Sequence, residues 1–113
     1  MNATHAQLSA EFIGVPAEQL ADGALLGGLL VAAASAAGLG GTHPPIVRER
    51  GDGGVSAALL LDGAHITVHS FADSRRVLFE VLAPTSHDFR KALDVFARRL
   101  TAREVHSDLR ARG

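Results

Sequence analysis

Hydrophobic and polar residues alternate along several stretches of the chain, and this period of two is typical of half-buried β-strands. In the first stretch, from His5 to Val15, the residues Leu8, Ala10 and Phe12 share one face. The pattern returns in 55–61, 64–71, 76–83 and the closing segment 103–109, and it allows a short strand at 46–49. Asp62 and Gly63 separate two of these stretches by a two-residue turn, which predicts a β-hairpin.

Two stretches predict helices instead. The first begins at Pro16, a residue suited to the first helical turn, and runs to about Ala37, where glycines begin at Gly38. The second is capped by Thr85 or Ser86 and runs to about Leu100. One stripe of this helix carries the apolar residues that must face a core, namely Phe89, Leu93, Phe96 and Leu100.

The resulting order is β-α-β-β-β-β-α-β, counting the short strand. It predicts one α+β domain over residues 1–113: a two-layer α/β sandwich with a mostly antiparallel sheet and two helices on one face. The opposite face of the sheet also needs cover, so a dimer through or beside the sheet is expected.

Composition narrows the function classes. The 11 basic and 12 acidic residues leave the chain near neutrality, so neither nucleic acid nor an acidic membrane is an expected partner. Cysteine is absent, which excludes disulfides, a thiolate nucleophile and a cysteine metal site, and which fits a cytoplasmic protein. The N-terminus has no basic region of the kind that begins a signal peptide.

One uncharged run, from Gly23 to Thr42, is long enough to raise the question of a membrane span. It is rich in alanine and glycine, and no lysine or arginine closely flanks it. A buried helix packed on the sheet is therefore the preferred interpretation, and the Gly23-x-x-x-Gly27 spacing indicates close packing of this helix.

The hairpin makes a specific prediction about chemistry. A two-residue turn at Asp62-Gly63 sets Ser56 directly opposite His69, within hydrogen-bonding reach. Two histidines on a strand are a poor zinc site, because His65 and His69 would lie about 13 Å apart. A serine hydrolase is also disfavoured, since no nucleophile elbow surrounds Ser56. An ordinary polar sheet face with satisfied side chains remains the alternative.

The motif GAHITVHSFAD, from Gly63 to Asp73, resembles the core motif of the short prokaryotic S-adenosylmethionine decarboxylases, Glu-Ser-His-[Ile/Leu]-[Ser/Thr]-Ile-His-Thr-Trp-Pro-Glu. The upstream Gly-Val-Ser ends at Ser56, eight positions before Ala64, as in the family. The N-terminal HAQLSAEFIGVPAEQLAD and the C-terminal strand, helix and strand extend the resemblance over nearly the whole chain.

The resemblance implies a mechanism and a set of roles. In the family, the motif serine attacks its own preceding carbonyl, and chain cleavage leaves a pyruvoyl group that accepts electrons during decarboxylation in spermidine synthesis. Ser56 and His69 match the two residues that assist this processing. Ala64 stands where the motif serine belongs, and Pro84 stands at or beside the family's proton-donating cysteine. His65, Phe71 and Asp73 match ligand-contacting positions.

These substitutions change the expected function. Because Ala64 has no Oγ, the self-derived pyruvoyl group is not expected, and no other cofactor or metal is indicated. A pseudoenzyme is expected: one that binds S-adenosylmethionine or a related nucleoside, or that pairs as a homodimer or with an active paralogue. The alternative is an active decarboxylase proenzyme whose serine was replaced at position 64, or a divergent enzyme using the same pocket. Lys91 lies among charged helix neighbours and is a poor pyridoxal phosphate lysine.

Overall fold

A computed structural model describes residues 3–41 and 43–113. Its six strands form one sheet in the order β2-β3-β4-β5-β1-β6, and all neighbouring pairs are antiparallel. The strands are β1 (His5–Ile13), β2 (Ile46–Glu49), β3 (Val55–Leu61), β4 (Ala64–Phe71), β5 (Arg76–Pro84) and β6 (Glu104–Arg112). The helices are α1 (Ala17–Leu20), α2 (Gly23–Ala36) and α3 (Phe89–Arg99). The predicted α+β fold class is confirmed.

The core lies between one face of the sheet and helices α2 and α3. Alternate residues of β1, β3, β4 and β5 point into it, as the period of two predicted. Phe96 of α3 lies at the centre, with its ring centroid 4.5 Å from that of Phe79 and 6.4 Å from that of Phe12. The predicted stripe of α3 is buried throughout, at Phe89, Leu93, Phe96 and Leu100.

The first helical segment differs from the prediction of one continuous helix. It is divided into the single turn of α1 and the longer α2, with a break at Ala21 and Asp22. The Leu25 N–H donates to Asp22 Oδ1 at 2.9 Å, so Asp22 caps a new helix rather than continuing the old one. Helix α2 ends as expected, because Gly38 adopts a φ of 80° that glycine tolerates best.

Helix α3 is capped by Asp88, not by Thr85 or Ser86. The Lys91 N–H donates to Asp88 Oδ1 at 3.1 Å, while the Asp88 N–H is held by Ala37 O at 3.2 Å. That second bond ties the cap to the end of α2, which is a long-range contact that local sequence does not display.

Strand β6 also extends three residues beyond the predicted end at 109, because it pairs with β1 over the full length of that strand.

Gly23 and Gly27 lie where a strand packs closely against helix α2. A Cβ at Gly27 would lie 2.8 Å from Val47 Cγ2, and one at Gly23 would lie 3.1 Å from Val47 Cγ1. Close packing of this helix on the sheet was therefore predicted correctly, and the strand that it contacts at these glycines is β2. In the described residues no helix is both long and apolar enough to cross a membrane. Thr42, at the end of the uncharged run, and Met1 and Asn2, at the start of the N-terminal segment, lie outside those residues.

Candidate functional site

The β3–β4 hairpin has the register that the Asp-Gly turn predicted. Leu61 faces Ala64 and Ser56 faces His69. Gly63 adopts a φ of 66°, a backbone conformation that residues other than glycine rarely adopt. Ser56 Oγ and His69 Nδ1 lie 2.8 Å apart on the face of the sheet opposite helices α2 and α3, which no helix of the described residues covers. We call this face, formed by the outward residues of all the strands, the open face.

Arg50 is the residue of this region that sequence reasoning missed. Its Nη1 donates to Ser56 Oγ at 2.7 Å, its Nη2 donates to the Ser70 carbonyl, and its guanidinium carbon lies 4.9 Å from the centre of the Phe71 ring. Phe71 therefore forms a cation–π contact with a residue of its own chain. No motif signalled this, because Arg50 lies outside both the hairpin and the segments that carry the family resemblance.

The loop from Arg50 to Gly54 holds the guanidinium in place. The Arg50 N–H donates to Gly54 O at 2.8 Å, and the Gly54 N–H donates to Asp52 Oδ1 at 2.9 Å. This backbone bond from Gly54, assisted by the charge of Arg50, holds the pKa of the Asp52 carboxyl below its ordinary value. A Cβ at Gly54 would overlap both the Arg50 guanidinium and the Ser70 carbonyl, so only glycine leaves room for the arginine.

Ala64, at the pyruvoyl-precursor position, lies apart from this cluster. Its methyl group is on the helix-covered face and is only 5% exposed. Five residues of strand separate Ala64 from His69, which is about 17 Å. Because His65 faces Leu82, the Ala64 end of the hairpin lies beside Pro84 at the end of β5. Within one chain, the structure thus brings Ala64 near Pro84 and Ser56 near His69, but it does not bring the two pairs together.

The three residues matched to ligand contacts are also spread along the open face. His65 Nε2–H donates to Glu80 Oε1 at 3.0 Å near the Ala64 end. Phe71 lies at the opposite end of β4. Asp73 lies in the following turn, where its Oδ1 accepts from the Ser74 N–H at 2.8 Å. His65 and Phe71 are separated by about 20 Å, so they do not line one small pocket in a single chain.

Between these ends, the open face contains a shallow depression. Thr67 and His69 of β4 border it on one side, and Ser9, Glu11 and the β6 residue Asp108 border it on the other. In residues 3–41 and 43–113, no three histidine or carboxylate side chains cluster in a way that would hold a metal ion. Chemically, the depression offers hydrogen bonds and paired charges.

These observations define a class of protein: a two-layer α+β domain whose open sheet face carries a serine–histidine pair on a β-hairpin. The sequence model for S-adenosylmethionine decarboxylase matches residues 6–113. The chain therefore belongs to the S-adenosylmethionine decarboxylase family.

Comparison with solved structures supports the fold. The crystal structure of the adenosylmethionine decarboxylase from Aquifex aeolicus VF5 superposes with a TM-score of 0.85 at 20% identity, covering 100% of this chain and 93% of that one. At this identity, the likeness shows the fold alone. No curated protein sequence matches the chain.

Proposed function

We propose that this chain is a cytoplasmic family member that is neither processed nor active as a decarboxylase. The observation that carries the proposal is Ala64, whose methyl group is buried where the family's motif serine stands. A serine hydroxyl is the source of the family's pyruvoyl group, and alanine has no oxygen to supply it. The proton-donor position falls at or beside Pro84, and the chain has no cysteine. The residues present therefore do not fit the cofactor of the family.

Intact-mass spectrometry of the purified protein tests this proposal directly. We expect a single chain of the full mass. Two fragments, of which the C-terminal one beginning at position 64 has a blocked N-terminus, would show that processing occurs and would contradict the proposal. The double substitution Ala64→Ser with Gly63→Glu restores the motif, and we expect weak or partial cleavage. Adding Ser56→Ala to that background tests whether a second protomer supplies Ser56 to position 64, because within one chain the two positions lie at opposite ends of the hairpin; loss of the cleavage is the expected result.

The open face is proposed to be the surface through which the protein acts. Two leucines on it are conspicuously exposed, Leu60 at 74% and Leu78 at 43%. Buried apolar side chains contribute about 25 cal/mol per Å² of surface, so a partner that covers this face gains from both leucines. We propose that the partner is a second protomer, in a homodimer or in a heterodimer with an active paralogue of the spermidine pathway whose activity it regulates.

Sedimentation velocity tests the pairing. Leu78→Arg should weaken a dimer through the open face and shift the protein towards the monomer. Leu109→Arg is the matched control: Leu109 is 46% exposed, but it faces the helix side of the sheet, opposite Leu8. An unchanged oligomeric state in Leu78→Arg, or an equal loss in both variants, would contradict dimerisation through this face. If the wild-type protein is a monomer, the homodimer is excluded. The heterodimer with a paralogue is then tested by mixing the two chains.

A second candidate function, binding of S-adenosylmethionine, is favoured by Phe71, whose partly exposed ring suits contact with a nucleobase. In a thermal-shift assay, a ligand at 100 times its dissociation constant stabilises the fold by about 2.7 kcal/mol. We expect a measurable rise in melting temperature with S-adenosylmethionine. No rise at millimolar concentration would contradict this second candidate and leave the pairing function as the remaining proposal.

A further inference from the structure

Arg50 makes more contacts with the candidate site than any single residue that the sequence pointed to. Its guanidinium contacts the Ser56 hydroxyl, the Ser70 carbonyl and the Phe71 ring, and its Nε lies 3.4 Å from Asp52 Oδ2. The side chain is only 26% exposed, so these contacts hold the arginine within the surface rather than in solvent. The family resemblance assigns no role to this residue.

We propose that Arg50 is a positioning and specificity-determining residue of the open face. It orients the Ser56 hydroxyl towards His69, which fixes the proton of His69 on Nε2, and it occupies the face of Phe71 on which a nucleobase would stack. The first effect is independent of any ligand. The second rests on the proposed binding of S-adenosylmethionine.

Hydrogen-bond direction carries the first part of the proposal. A guanidinium only donates, so Ser56 Oγ accepts from Arg50 Nη1. The hydroxyl hydrogen then needs an acceptor, and His69 Nδ1 at 2.8 Å is the acceptor the structure provides within the described residues. If Nδ1 carried the proton instead, the Ser56 hydrogen would have no protein partner. The arrangement that uses every donor therefore places the His69 proton on Nε2, pointing towards the open face.

Geometry carries the second part. The guanidinium lies over Phe71 at 4.9 Å from the ring centre, which is the stacking position that a flat ligand would take. The arginine is fixed there by three further hydrogen-bonding partners, and the absence of a Cβ at Gly54 leaves the room it needs. A nucleobase must displace the guanidinium to stack, so Arg50 lowers the affinity of this face for flat neutral rings.

Imidazole ¹⁵N NMR above pH 8 tests the positioning role, since neutral histidine tautomers have distinct nitrogen shifts. We expect the Nε2–H tautomer of His69 in the wild type and a mixture of tautomers in Arg50→Met. Arg50→Lys, which retains a donor, should restore the wild-type tautomer in part. His65, whose Nε2–H is held by Glu80, is the internal control and should not change. The paired control is Arg48→Met, because Arg48 lies opposite Ser56 in register but its side chain makes no hydrogen bond in the described part of the chain.

An unchanged His69 tautomer in Arg50→Met, or an equal change in Arg48→Met, would overturn the positioning role. This result holds whether or not the protein binds any nucleoside or is processed, so it is separate from a failure of the proposed function.

Adenosine binding measured by calorimetry tests the specificity role. Because a base gains affinity by stacking on a free aromatic ring, we expect Arg50→Met to bind adenosine about tenfold more tightly than the wild type. Arg48→Met should bind adenosine as the wild type does. An equal or weaker affinity, including no binding by either protein, would overturn the claim that Arg50 keeps a base off Phe71. Binding of S-adenosylmethionine by the wild type without that gain would uphold the proposed ligand and reject the role of Arg50.

Discussion

The two faces of strand β4 show how separately stability and candidate chemistry are arranged in this protein. Ala64, Ile66, Val68 and Ser70 point to the helices and are all buried, whereas His65, Thr67, His69 and Phe71 point to the open face and are all partly or fully exposed. The fold therefore depends on one face and the candidate site on the other. Residues of the site can change while the fold of the family is retained.

The largest expected effect tests the covered face. Phe96→Ala removes the ring that contacts Phe12 and Phe79 and leaves a cavity, which should destabilise the protein by about 3–5 kcal/mol in urea unfolding. Phe71→Ala is the control on the open face and should cost under about 1 kcal/mol, in line with a cation–π contact at a partly exposed site. Equal losses would contradict the separation of the two faces.

The next prediction compares two serines on opposite faces. Ser70 is fully buried; its Oγ donates to Leu20 O at 2.6 Å and accepts from the Val55 N–H at 2.8 Å. Ser70→Ala leaves the Val55 donor without its partner and should cost about 1–3 kcal/mol. Ser56→Ala, on the open face, should cost less in the same chemical denaturation experiment, because water can reach the groups it leaves.

A smaller effect separates the covered and uncovered sides of α2. A Cβ at Gly28 meets no atom within 4 Å, so Gly28→Ala should stabilise the helix by about 0.5–1 kcal/mol through the lower entropy of the unfolded chain. Gly27→Ala has the same helix preference but crowds Val47, and its net change should be less favourable. A greater stabilisation by Gly27→Ala in thermal unfolding would show that β2 does not pack closely there.

The smallest prediction concerns pH and the loop that holds Arg50. The pKa of Asp52 is lowered in the folded state, chiefly by the Gly54 N–H bond and then by Arg50. A lowered pKa contributes stability above the unfolded value of about 3.9, and that contribution is lost as the pH falls through the folded value. Asp52→Asn should therefore increase hydrogen exchange of the Gly54 amide at pH 7, and the difference between the two proteins should be smaller at pH 3. An equal effect at both pH values would contradict a role for the carboxylate charge.

Local signals were enough to predict much of this molecule. The alternation in β1, β4 and β5, the apolar stripe of α3 and the Asp62-Gly63 turn depend on neighbours within a few residues, and each was confirmed. The break at Asp22 and the Asp88 cap were missed. Thr85 and Ser86 are also favoured N-cap residue types, and the bond from the Asp88 N–H to Ala37 O that favours the later start involves the end of another helix.

By itself, the amino-acid sequence determined the pairing of Ser56 with His69, because a two-residue turn fixes the register of its hairpin wherever that hairpin lies in the fold. Strand alternation likewise places Ala64, five residues before His69, on the face opposite the serine–histidine pair. Only the tertiary structure decided that Arg50 fills the space over Phe71. The position of Arg50 depends on its side chain reaching from the β2–β3 connection to the Ser70 carbonyl on β4, twenty residues away, and on the room left by Gly54. Contacts between such distant positions arise from packing, and the spacing of residues along one chain does not encode them in a readable pattern.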